Sequence, residues 1–86
     1  MYEVVFDKVF FKKLQKLTRN DSALRDRIRK KLKTLAKNPK HTSLRLHKLS
    51  GSDNWSISVN RSIRIIVTIK ENIVLCTDIG THDEVY

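Results

Sequence analysis

The spacing of apolar residues changes once along this chain, from the period of a helix to that of a strand. Between residues 9 and 35 apolar side chains recur every three or four positions, which is the period of an amphipathic helix. From residue 55 onward they alternate with polar side chains or form dense runs of isoleucine and valine, as strands do. Such a chain has to pack helices from its first half against a sheet from its second half.

Two helices are predicted in the first half, each preceded by residues that can cap it. Residues 2–6 are β-branched and aromatic, which predicts a short strand, and Asp7 can cap the helix that follows. Residues 20–22 interrupt the periodic pattern and can cap a second helix, whose apolar stripe runs over residues 24–35. We expect this helix to end just before Pro39.

Four further strands are predicted in the second half, separated by turns short enough for hairpins. The first is a loose alternation over residues 44–49, and the second is a strict alternation over residues 55–59. The last two are the apolar runs 63–69 and 73–79. Residues 1–86 should therefore form one α+β domain of order β-α-α-β-β-β-β, with two helices packed on a mostly antiparallel sheet.

Positive charge is concentrated in the predicted helices. The 86 residues include 18 Lys and Arg against 9 Asp and Glu, a net charge of +9. Residues 1–48 hold 15 of these bases and 4 of the acids, so the two halves carry +11 and −2. This exceeds what solubility requires, so nucleic acid or an acidic protein segment is the expected partner.

Composition also excludes several classes of protein. No apolar run is long enough to cross a membrane and no signal-peptide pattern is present, so we expect a cytoplasmic protein without a membrane partner. The one cysteine, Cys76, cannot form an internal disulfide and lies in an apolar run. The three histidines lack the spacing of metal ligands, so neither a metal nor any other cofactor is predicted.

The order of elements, together with three segments, resembles the RelE/ParE superfamily of toxin–antitoxin toxins. The segment LHKLSGSDNWSISV (46–59) is similar to the hairpin of the YafQ and YoeB branches, with its histidine, Leu-x-Gly and tryptophan. SIRIIVTI (62–69) is similar to the strand x-Arg-Leu-Val-Tyr, and the ending IGTHDEVY (79–86) is similar to the endings of YafQ and RelE. The resemblance is closest to the RelE, YafQ and YoeB branches.

This resemblance implies the toxin of a type II toxin–antitoxin pair. Members of these branches are metal-independent endoribonucleases that cleave messenger RNA, typically in the ribosomal A site, and are neutralised by a cognate antitoxin. The 2′-hydroxyl attacks its own phosphate, so the site needs a proton acceptor, a cation beside the phosphate and an acid for the leaving 5′ oxygen. The implied partners are messenger RNA, the ribosome and the antitoxin.

Four residues match the catalytic positions of these branches. Arg64 would stabilise the phosphate charge, because guanidinium binds two oxygens in a fixed fork and stays charged. His82 would be the general acid or base, and His47 would share the proton transfer. Tyr86 would stack on a base or contribute its hydroxyl. The alternatives are a solvent-facing arginine, two surface histidines and a tyrosine packed on the sheet edge.

Three further basic residues, Arg45, Lys48 and Arg61, are candidates for contacts with the RNA backbone. For each, the alternative is a solvated charge that contributes only to solubility.

The sequence also departs from the family patterns. Ser56 and Ser58 stand where RelE has lysines, so lysine-based proton chemistry is not expected. A ParE-like gyrase inhibitor without nuclease activity is one alternative function, and the combination of His47, Arg64 and His82 speaks against it. A non-enzymatic RNA-binding module is another. Its base-stacking aromatics are largely missing here, since most of the six aromatics precede residue 12.

Overall fold

The computed structural model describes residues 1–49 and 53–85. It contains the predicted strand, two helices and four strands, followed by one short C-terminal helix. The bounds are β1 Glu3–Phe6, α1 Lys8–Thr18, α2 Ser22–Lys37, β2 His47–Lys48, β3 Asn54–Ser58, β4 Ile63–Lys70, β5 Ile73–Thr81 and α3 His82–Val85. No helix among these residues is long and apolar enough to span a membrane.

The five strands form one sheet in the order β1-β5-β4-β3-β2. Only β1 and β5 pair in parallel, and the three other pairs are antiparallel. This confirms the predicted α+β class, with helices packed on a mostly antiparallel sheet. The parallel pair places the first strand of the chain beside the last one, at the edge of the sheet.

Both long helices begin at the predicted capping residues. The Asp7 carboxylate accepts a hydrogen bond from the Phe10 N–H at 2.8 Å, and the Asp21 carboxylate accepts one from the Leu24 N–H at 3.0 Å. Each bond satisfies a backbone donor that the first helical turn leaves without a partner. The second helix ends at Lys37, just before the predicted position.

The core lies between these helices and one face of the sheet. Its buried side chains come from α1, α2, the strands β3, β4 and β5, and the segments just before β2 and just after β3: Phe10, Ile28, Leu35, Leu44, Ile57, Val59, Ile63, Ile65, Val67, Val74, Cys76 and Ile79. Burial raises the pKa of the Cys76 thiol to about 12, and the nearby Asp7 carboxylate adds to this rise. The thiol therefore stays protonated and packs as a small apolar group.

The predicted strand over residues 44–49 is wrong for its first half. Thr42–Leu44 forms a 3-10 turn, Arg45 follows with a left-handed φ of 49°, and only His47–Lys48 pairs as a strand. The His41 ring caps the turn by accepting a hydrogen bond from the Ser43 N–H at 3.1 Å. Leu44 is fully buried from this turn, so its apolar character reflects core packing and not strand alternation.

Alternation along β3 places its side chains on two faces of the sheet. Trp55 and Ile57 pack with the core, so Ser56 and Ser58 point to the side away from α1 and α2, here called the far face. Ser58 lies directly opposite Arg64 of β4. Directly opposed residues share a face, so Arg64 also lies on the far face.

Candidate active site

Three hydrogen bonds hold the Arg64 guanidinium on the far face. Nε donates to Ser56 Oγ at 3.1 Å, and Nη2 donates to the same Oγ at 3.0 Å and to the Arg45 carbonyl at 3.2 Å. None of the ion pairs within residues 1–49 and 53–85 includes Arg64. The guanidinium is therefore fixed by neutral groups, and its charge remains available to an anion.

The backbone at Arg45 supplies one of these acceptors. Arg45 ends the 3-10 turn with φ 49°, a left-handed conformation that few non-glycine residues adopt, and its N–H donates to the Thr42 carbonyl at 3.2 Å. This reversal directs the Arg45 carbonyl to Arg64. The Arg45 side chain is exposed. Arg45 thus contributes to the candidate site through its backbone carbonyl.

His47 lies on the same face as Arg64. It is directly opposite Ser56 in the β2–β3 pair, and opposed residues share a face. Lys48 is opposite Trp55 instead, and its Nζ lies 5.6 Å from the centre of the Trp55 ring. That cation–π contact is on the helix side of the sheet. The structure therefore places His47 on the same face of the sheet as Arg64 and Lys48 on the opposite face.

His82 begins the short helix α3, which packs on the strand next to that of Arg64. Thr81 and Glu84 form a capping box, in which the Thr81 N–H donates to Glu84 Oε1 at 2.9 Å and the Glu84 N–H donates to Thr81 Oγ1 at 3.3 Å. The hydrogen bonds from Thr81, the backbone one first, hold the pKa of Glu84 below its ordinary value. His82 is the first residue of this helix, so the capping box sets its position.

Gly80 allows α3 to lie on the sheet beside Arg64. Gly80 is directly opposite Arg64 in the β4–β5 pair. A Cβ at this position would lie 3.2 Å from Glu84 Cβ and 3.3 Å from Val85 Cγ1. These distances are tighter than most Cβ contacts, so a side chain here would press against α3. Glycine at this position therefore lets α3, which begins with His82, pack closely against the far face.

The His82 side chain is 66% exposed to solvent. Its Nδ1 lies 4.0 Å from Asp83 Oδ1, and the Asp83 side chain is fully exposed. Asp83 is therefore a weak orienting partner at this distance.

The remaining predicted residues occupy different places. Arg61 is exposed in the loop between β3 and β4. Tyr86 lies outside the described residues. Within those residues, no group of three or more His, Cys, Asp or Glu side chains is arranged to hold a metal ion.

Sequence reasoning missed two parts of the site. The Thr81–Glu84 capping box has a readable signature, a threonine followed three residues later by a glutamate. The bond between Ser56 and Arg64 has no such signal, since it depends on the register of β3 against β4.

Solved structures of toxins share this fold. The YoeB/ParE toxin from Agrobacterium tumefaciens superposes with a TM-score of 0.82 at 13% identity, covering 93% of this chain and 98% of that one. The YoeB–YefM complex from Staphylococcus aureus gives a TM-score of 0.78 at 18% identity, covering 95% and 98%. The fold is therefore that of the small α+β toxins of the YoeB and RelE type.

Sequence similarity narrows this class to a family. No protein-family model matches the chain. Over 88 residues, however, the chain is 31% identical to RelE4 of Methanocaldococcus jannaschii, a candidate toxin, and the alignment covers 100% of this chain and 92% of the relative. The chain belongs to the RelE family of toxins of toxin–antitoxin systems. The family resemblance predicted from the sequence is confirmed.

Proposed function

We propose that this toxin is an endoribonuclease that cleaves messenger RNA in the ribosomal A site. The arrangement around Arg64 carries the proposal. Its guanidinium is fixed and has no carboxylate partner within residues 1–49 and 53–85, His47 lies on the same face of the sheet, and the helix that begins with His82 packs over Gly80 of the adjacent strand. Phosphodiester cleavage requires a cation beside the phosphate, a proton acceptor and a proton donor.

The reaction can be divided among these side chains. One histidine takes the proton of the 2′-hydroxyl, whose oxygen then forms a bond to the adjacent phosphorus. The bond from phosphorus to the 5′ oxygen breaks, and the other histidine returns a proton to that oxygen, leaving a 2′,3′-cyclic phosphate. Arg64 stabilises the charge that builds on the phosphate. We assign His82 and His47 to the proton transfers, and stacking on a base to Tyr86.

Messenger RNA would cross the far face past the basic loops. Arg45, after the 3-10 turn, and Arg61, in the loop between β3 and β4, are exposed, and we assign them to RNA backbone contacts. Lys48 lies over Trp55 on the helix side, so we assign it to RNA that continues around the β2 edge. The exposed cations of α1 and α2 are assigned to ribosomal RNA, so binding should weaken steeply as salt rises.

Cleavage on the ribosome tests this function. Purified toxin is added to ribosomes stalled on a defined message, and the cleavage positions are mapped by primer extension. We expect cuts within the A-site codon and little cleavage of the same message without ribosomes. An intact message, from a protein that still stops growth, would contradict the proposal. A gyrase supercoiling assay would then test the ParE-like alternative.

We further propose that the toxin binds a cognate antitoxin, as YoeB binds YefM in their complex, and that this antitoxin covers the groove between α1, α2 and β1. The groove has a volume of about 930 Å³, and Phe6 and Phe11, among its lining residues, are 41% and 47% exposed. Its lining also includes four cations: Arg19, Arg25, Arg29 and Lys33. The apolar residues of the groove fit the apolar face of an amphipathic helix, and the basic residues fit acidic side chains on that helix.

Replacing Phe11 with serine should weaken antitoxin binding. An aromatic side chain buried at an interface contributes about 2 kcal/mol, so the Kd should rise on the order of 30-fold. The measurement is titration calorimetry with the antitoxin encoded beside the toxin. Val9→Ser is the matched control, because Val9 is 54% exposed on the same helix but does not line the groove. If both variants lose the same affinity for the antitoxin, the groove is not the antitoxin site.

A further inference from the structure

Ser56 is an unusual residue for the middle of a strand. It lies between Trp55 and Ile57, it is completely buried, and its hydroxyl oxygen accepts two hydrogen bonds from Arg64. A hydroxyl oxygen has two lone pairs, and these two bonds use both. Strand propensity and packing would favour a larger or β-branched side chain here, so the position calls for an explanation beyond the core.

The three bonds to Arg64 fix the direction of its free edge. They use the Nε–H and both N–H groups of Nη2, which leaves the two N–H groups of Nη1. Because guanidinium is planar, holding Nε and Nη2 also fixes where Nη1 points. The phosphate is therefore met by Nη1, whereas a fork that includes Nη2 would require one of these bonds to break.

The chemistry of the partners matters as much as their geometry. A carboxylate at position 56 would hold Arg64 more strongly, but it would also neutralise the charge that a phosphate needs. A serine hydroxyl and a backbone carbonyl are neutral, so they orient the guanidinium without removing its charge. The pair thus separates the positioning of Arg64 from its electrostatic function.

We propose that Ser56 is a positioning residue for Arg64, and that its hydroxyl aims the Nη1 edge at the scissile phosphate. This inference rests on the proposed ribonuclease function. It adds a residue that touches neither the RNA nor the reacting atoms and acts through the guanidinium. It also gives the serine on β3 a function of its own, where the RelE pattern has lysines.

The first measurement is independent of activity. In protein labelled with ¹⁵N at arginine, the Arg64 Nε–H should exchange slowly with water, and Ser56→Ala should make this exchange fast. Ser58→Ala is the matched control, since Ser58 lies directly opposite Arg64 but donates its hydroxyl hydrogen bond to the Asn60 carbonyl at 3.0 Å. Fast exchange in the wild-type protein, or no change in Ser56→Ala, would overturn the proposal.

The second measurement is single-turnover cleavage of the ribosome-bound message. Ser56→Ala should lower the cleavage rate on the order of tenfold, because a loosened arginine spends less time in the productive geometry. Ser58→Ala should stay within about twofold of wild type. In an Arg64→Ala background Ser56→Ala should cause no further loss, since its effect passes through the arginine.

The outcomes separate the two proposals. If Ser56→Ala lowers the cleavage rate equally with and without Arg64, the serine has only a structural role. If Ser56→Ala leaves the cleavage rate unchanged, Ser56 does not position Arg64. In both cases the nuclease function would stand. If the wild-type protein protects the Arg64 Nε–H but cuts no message, the ribonuclease function fails, and the exchange data alone establish that Ser56 positions Arg64.

Discussion

Replacing Arg64 with alanine should reduce the cleavage rate by about 10²- to 10³-fold, which is the usual effect of removing one group that stabilises transition-state charge. Within residues 1–49 and 53–85, Arg64 is the cation that the far face holds by hydrogen bonds to Ser56 and to the Arg45 carbonyl. The measurement is single-turnover cleavage at saturating toxin.

Two further variants make this prediction specific. Arg64→Lys keeps the charge, but an ammonium group cannot reproduce the planar set of bonds to Ser56 and Arg45, so we expect a rate between those of wild type and alanine. Arg61→Ala removes an exposed loop arginine and should weaken RNA binding, with a smaller salt dependence, more than it slows cleavage. If Arg64→Ala cleaves within twofold of the wild-type rate, Arg64 does not take part in the reaction.

Helix ends could be predicted from the sequence because their signals are local. Asp7 and Asp21 each bond a backbone N–H three residues later, so the relevant partner is adjacent in the chain. The two strands that the structure has at 63–70 and 73–81 could also be predicted from the sequence. A dense run of β-branched residues has few other stable conformations in a small domain.

The two local errors have different causes. Leu44 sits two residues before Leu46, which looks like strand alternation, yet it packs into the core from a 3-10 turn. The period of two cannot distinguish these cases when only two or three residues carry it. Helix α3 was missed although Thr81 and Glu84 form a capping box, because four residues are too few to show a helical period.

The residues of the candidate site were proposed from the sequence, but the hydrogen bonds that hold Arg64 were not. Arg64, His47 and His82 were selected from sequence, and the structure places the first two on one face and the third on a helix packed over Gly80. Which hydroxyl meets the guanidinium depends on strand register. A shift of β3 by one residue would turn Ser56 to the helix side, and sequence patterns specify register only weakly.

Replacing His82 with alanine should reduce the cleavage rate by about 10²-fold or more, because positioned proton transfer contributes at least that much. The ring is two-thirds exposed, so the loss cannot be assigned to core packing, and the unfolding midpoint should be nearly unchanged. Asp83→Asn is the neighbouring control. Its side chain is fully exposed at 4.0 Å from the His82 ring, and its rate should remain within about twofold of wild type.

A variant at Gly80 separates the position of His82 from its chemistry. Gly80→Val retains the histidine but introduces a branched side chain where a single Cβ already lies 3.2 Å from Glu84. Helix α3 must then move away from the sheet, and cleavage should fall toward the rate of His82→Ala. If Gly80→Val keeps the wild-type rate while His82→Ala does not, the ring acts without being held beside Arg64. If His82→Ala itself keeps the wild-type rate, the proton transfers belong to His47 and another group.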